Sequence, residues 1–166
     1  NFFSFEGSFG NQQTPNGSLY TGLAKHGWTA TLASEVFHTD GYILIDPDER
    51  GPVDTRAGSR SLINDLTIEC EITLGGRVFV RGSLFGESRT NGTPLQINRT
   101  HVRNLSVGAD LNSQRFGSVM LRAFGGTQTY DQTFTAVTIN RTGETLTRVQ
   151  RVPAQSFGFS AQWSRA

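Results

Sequence analysis

Alternation with a period of two residues runs through nearly the whole chain, and helical periodicity is almost absent. In "FFSFEGSF" the side chains of Phe3, Phe5 and Phe9 share one face of an extended backbone, and in "WTATLA" those of Trp28, Ala30 and Leu32 do. "NLSVGADL" places Leu105, Val107, Ala109 and Leu111 together, and "SFGFSAQWS" does the same with Phe157, Phe159, Ala161 and Trp163. Each stretch reads as a strand with one face on a core and the other toward water. "GYILID", "GSVMLRAF" and "FTAVTI" are apolar more continuously, which suits strands covered on both sides. The pattern predicts about nine or ten strands, more than one average sheet holds, so two packed sheets or a closed barrel is the natural packing.

Turn and loop compositions separate these runs: "FGNQQTPNGS", "DPDERGPVDTRAGS", "GESRTNGTP", "AFGGTQTYD" and "NRTGET". Their spacing fits an all-β fold, an antiparallel two-sheet sandwich of the jelly-roll or Greek-key kind. With 166 residues the chain forms one domain, 1–166, in which residues 1–10 read as an extended N-terminal arm or edge strand. "INRT" occurs at 97–100 and again at 139–142, and two short matches are read as coincidence.

Charge excludes some roles. Charged residues are 17% of the chain and the net charge is +1, so solubility rests on neutral polar groups. No run of like charge points to nucleic acid or an anionic bilayer. No apolar run approaches the roughly 20 residues of a spanning helix, and no membrane span is expected. A lone cysteine, Cys70, makes no internal disulfide, and His26, His38 and His101 show no metal-type spacing. The start at Asn1 rather than methionine reads as processing, with signal-peptide removal one route. Sequons at Asn16, Asn91, Asn98, Asn104 and Asn140 are glycosylation candidates and agree with a secreted, surface-displayed or virion location.

"LTIECEITLGG" carries the most chemistry. On a strand Leu66, Ile68, Cys70, Ile72 and Leu74 point one way, and Thr67, Glu69, Glu71 and Thr73 the other. Cys70 is then a small buried hydrophobe. Glu69 and Glu71 share a face about 7 Å apart, close enough for a retaining glycosidase pair if one carboxyl were held protonated. Their threonine neighbours favour ionised groups instead. A loop at 75–77 would set Glu71 against Arg81 and Ile68 against Leu84.

"TIECEIT" resembles the acidic strand of laminarinase-type glycosidases, matching its first two acidic positions at Glu69 and Glu71; the third would fall at Thr73 or Leu74. "HGWTATLASEVFHTDGYILI" with "NDLTIECEITLGGRVFVRG" is similar to concanavalin-like domains of the 3-keto-glycoside hydrolase type. The resemblance implies a jelly roll of carbohydrate-related ancestry.

Other residues suggest binding. Trp28, Tyr42 and Tyr130, beside glycines or in loops, suit stacking on sugar rings, and Arg81 would add directional hydrogen bonds. Asp46, Asp48, Glu49 and Asp54 around Gly51 are a weak calcium candidate, because no glutamate closes the loop; otherwise no cofactor is expected. The sequence therefore predicts a non-enzymatic module binding a glycan or cell-surface ligand. Its alternatives are a virion, phage or filament subunit assembling as a homo-oligomer through strand edges, and a glycoside hydrolase using Glu69 and Glu71.

Overall fold

The computed structural model describes residues 1–72 and 75–165. Eight strands follow one another: β1 (Phe2–Gly10), β2 (Thr14–Lys25), β3 (Trp28–Tyr42), β4 (Ala57–Ile72), β5 (Gly76–Thr90), β6 (Ile97–Ser113), β7 (Gly117–Val137) and β8 (Glu144–Ser164). They form one antiparallel sheet in strictly sequential order, with β1 and β8 as its open edges. The chain is all-β as expected. The two packed layers of a sandwich are not formed by the described residues, nor are Greek-key crossovers. Alternation reports which side of a strand is apolar and says nothing about what covers that side.

Strand boundaries differ from the sequence reading for identifiable reasons. "AFGGTQTYD", read as a loop, lies inside the 21-residue β7, which joins the two shorter runs on either side of it. "YILI", read as a strand, instead leaves β3 at Tyr42 and enters the 43–56 connection, where Arg50 Nε donates to Ile45 O at 2.7 Å. The two "INRT" copies adopt different structures, one opening β6 and the other in the β7–β8 connection.

Turn chemistry sorts the two ends. At the near end His26 and Gly27, both at positive φ (52° and 79°), make the two-residue turn that suits the twist of a hairpin. The β4–β5 connection spans 73–75, not 75–77, because Gly75 supplies the positive φ (72°) that a three-residue loop needs at its third place. Glu71 accordingly faces Arg77, not Arg81, and Ile68 faces Val80, not Leu84. The shift is an even number of residues, so both faces keep their character; Leu74 and Thr73 lie outside the described residues. At the far end the connections 43–56, 91–96 and 138–143 are longer, beside the short 11–13 turn between β1 and β2.

Burial is sparse. Val53 is the one buried hydrophobic side chain among the described residues, and it belongs to a far-end loop. The accessible surface is 11560 Å², against about 8,100 Å² for a compact monomer of this mass. Both faces of the sheet are uncovered.

Candidate functional site

The register puts every apolar run on one face. Phe3, Phe5 and Phe9 of β1 lie on the same side as Leu19 and Leu23 of β2, and Trp28, Ala30, Leu32 and Val36 of β3. Leu62, Leu66, Ile68, Cys70 and Ile72 of β4 continue it, followed by Val78, Val80 and Leu84 of β5. Leu105 to Leu111, Val119 to Ala123 and Phe157 to Trp163 complete it across β6, β7 and β8. Ser34 and Asn64, paired with each other, interrupt the band.

Exposure is inverted relative to a water-soluble sheet. Leu66, Leu105 and Phe157 are 46%, 56% and 82% exposed, while their polar neighbours Asp65, Thr67 and Ser106 are half-buried. This is the pattern of a sheet that curls around its polar face. Cys70 is on the apolar side beside Trp28 and Val78, as expected, but it is half-buried rather than buried.

The band is also slanted. Leu62 registers through Gly86, His101 and Thr129 with Pro153 of β8, yet the apolar run of β8 begins only at Phe157, four residues nearer the short turns. The opposite margin drifts in the same sense, from Phe3 level with Leu66 to Trp28 level with Cys70. One residue per strand, at ~3.3 Å per residue and ~4.8 Å between strands, is a slope of about 35°. Measured across that slope, the run from Leu62 to Ile72 is about 27 Å tall and the shorter run on β8 about 16 Å.

The other face is polar and charged. At its near end Arg77 donates to Glu69 (3.4 Å) and to Asp110 (2.8 Å), and Arg122 donates to the second Asp110 oxygen, linking β4 to β7. The Arg77 and Arg122 hydrogen bonds hold the Asp110 carboxyl below its usual range, and Asp110 in turn raises Arg77. Arg122 also stacks over Phe79, 4.9 Å from its ring centre. Three phenylalanines on this face lie over glycines of the next strand: Phe2 on Gly22, Phe79 on Gly108 and Phe124 on Gly158, where a Cβ would strike the ring.

The far-end loops form a separate unit. Arg141 clamps Asp54 with two hydrogen bonds while Gly51 N donates to the same carboxylate. Asp54 is thereby lowered to about 2, chiefly by the Arg141 hydrogen bond. Thr93 and Leu95 N bind Glu144, and these hydrogen bonds together with one from Thr135 outweigh the burial that pushes its carboxyl upward, leaving it below its usual range.

These contacts place the expected site residues. Trp28 and Tyr42 stand at opposite ends of β3, Tyr130 is on the polar face of β7, and Arg81 on the polar face donates to Thr67 at 3.2 Å. They do not converge. Glu69 and Glu71 share the polar face, Glu69 on Arg77 and Glu71 exposed. Of the calcium candidates, Asp46 accepts from Asp48 N and Asp54 is committed to Arg141; no three acidic, histidine or cysteine groups gather to hold a metal among the described residues. Asn16, Asn98 and Asn104 lie within strands, and Asn91 and Asn140 in connections. Asn16 Oδ1 and Asn98 Oδ1 are buried without a partner among the described residues.

Sequence reasoning missed a cationic patch. Arg99, His101 and Arg103 alternate along β6 on the apolar side, two strands from Arg60 of β4, just past the far margin of the band. Their spacing of two was the available signal.

No helix among the described residues is long and apolar enough to cross a membrane. No family model matches the chain, and no curated protein or solved structure gives a significant match.

Proposed function

We propose that this sheet is part of the wall of a membrane-spanning β-barrel of the outer-membrane type, with the apolar band against lipid and the polar face lining a hydrated lumen. The observation that carries this is the exposed, slanted apolar band on the outside of a sheet curled around charge. Spanning strands tilt by about 35–45° and show an apolar band about 25 Å tall, and the slope and the β4 height found here agree. Only two- and three-residue turns occur at one end, while three of the four connections at the other are longer, in the sense of the same architecture. Both tryptophans, Trp28 and Trp163, face outward at the near margin, where aromatic side chains favour the lipid–water interface.

Within lipid the unpaired edges of β1 and β8 need partners, because an unmet backbone group there is costly. More of the same polypeptide, or a second copy pairing β1 with β8, would close the wall. The same edges support a second reading, in which copies assemble edge to edge outside a membrane as a virion, appendage or filament subunit. A glycan-binding role draws on Trp28, Tyr42, Tyr130 and Arg81, and their dispersal gives it less support. A glycosidase role draws on Glu69 and Glu71, and the Arg77 contact favours a structural use of Glu69.

The test is fluorescence of Trp28 and Trp163 in vesicles containing lipids brominated at graded depths. The expected result is strong quenching by bromines just below the headgroups. A protein that stays water-soluble without detergent and shows no quenching overturns the reading and favours edge assembly.

A further inference from the structure

Resting on the barrel reading, the geometry points to a binding site for the phosphate of an anionic lipid headgroup, on the outer surface immediately beyond the far margin of the apolar band. Arg60, Ser88 and Arg99 form one row across β4, β5 and β6 on the apolar face. One step toward the band, Leu62, Gly86 and His101 form the next row. Gly86 has no side chain to fill the space between its neighbours, and a Cβ there would meet only His101, at 3.9 Å. The result is an open hollow of about 440 Å³ lined by Arg60, Leu62, Gly86, Ser88, Arg99 and His101. A second hollow of about 450 Å³ shares Arg60, Ser88 and Arg99 and continues toward His38.

Charge favours an anion. Arg60, Arg99 and Arg103 are exposed and have no ion-pair partner among the described residues. Two acids lie close by: Asp131, the cross-strand neighbour of Arg99, contacts Arg151 at 3.6 Å, and Asp40, which lines the second hollow, contacts His38 and Arg56, so the arginines still outnumber the carboxylates here. Glu87, which borders the first hollow, is bound to Arg89. Arg60 and Arg99 lie two strand spacings apart, about 10 Å at the backbone, so both guanidinium groups can reach one phosphate between them.

Position selects the lipid source over a free ion. Leu62 and Leu105 stand directly on the lipid side of these cations, so a bound headgroup would lay its acyl chains along the band. Cations at this depth attract anionic headgroups without the cost of entering hydrocarbon.

The experiment reconstitutes the whole polypeptide, as wild type and as Arg60→Gln/Arg99→Gln, in phosphatidylcholine vesicles doped with a phosphomonoester lipid. Tryptophan quenching by brominated lipid reports insertion, and native mass spectrometry after detergent release reports retained lipid. The wild type is expected to retain the phosphorylated lipid in excess of its share of the vesicle, with a loss of about fivefold per arginine removed, while insertion stays unchanged. Equal retention by both proteins with normal quenching overturns the headgroup site and leaves the barrel standing. Absence of quenching removes the barrel and this site with it. Complete displacement of the retained lipid by inorganic phosphate shows a free-anion site and overturns the lipid assignment.

Discussion

The far-end loops and the strands beneath them are held by opposite means. In the loops Val53 is buried, and the Asp54 carboxylate is shielded from solvent by Arg141, which ties the 43–56 and 138–143 connections together. Glu144 at the start of β8 holds the 91–96 connection, so side-chain contacts bind this unit. The strands bury almost nothing, and their leucines and phenylalanines face outward. In the proposed barrel this difference is one of solvent: backbone hydrogen bonds and a nonpolar surrounding would hold the body, while side-chain contacts hold the cap.

Changes that reach only one region should break that comparison. The largest effect is expected from Leu66→Arg in the middle of the band, which should lower stability in a bilayer by about 2–4 kcal/mol. Ser83→Arg, on the polar face opposite Asp65, should be close to neutral; urea unfolding in lipid vesicles distinguishes them. Equal effects of the two would remove the assignment of faces.

Arg141→Ala comes next, and it should act on the cap alone. It leaves the Asp54 carboxylate without its clamp, so the amides of Val53 and Thr55 should lose hydrogen-exchange protection. Those of β4 and β5 should keep theirs. Acid should act similarly but less abruptly. The Asp54 carboxyl is lowered from 3.8 to about 2 in the folded protein, so its contribution is complete above pH 4 and is lost as the pH falls toward 2. Exchange measured down that range should show the cap loosening before the strands. The smallest effect is expected from Asp110→Asn, which weakens a partly solvated network on the polar face; a loss of about 1 kcal/mol or less in the same urea assay is expected.

How much of this was legible from sequence depends on which property is asked about. Side-chain direction was: Cys70 and both glutamates fall on the faces that alternation assigns them, and so do all four apolar runs. The destination of those faces was not, since a leucine facing a core and one facing lipid look alike in a period of two. Strand length was obscured because polar, glycine-containing residues such as Gly125 and Gly126 mimic a loop, yet they continue β7 where neither face meets a core. The β4–β5 register is ambiguous in sequence because a Gly-Gly pair can open a loop or straddle its end; here Gly75 closes the loop and Gly76 begins the next strand. The cationic character of Arg99, His101 and Arg103 is hidden in sequence because these residues stand at every second position and form no consecutive run of charge.

The length of the last two strands has its own consequence. The apolar part of β8 ends at Phe157, but the strand extends back to Glu144, so a rampart of paired, wetted backbone roughly 35 Å high would rise above the bilayer. Antibodies and proteases approaching from that side would meet the cap first. In the proposed barrel the chemistry a visitor encounters on arrival would therefore be governed by the loops, well before it reached the plane of the lipids.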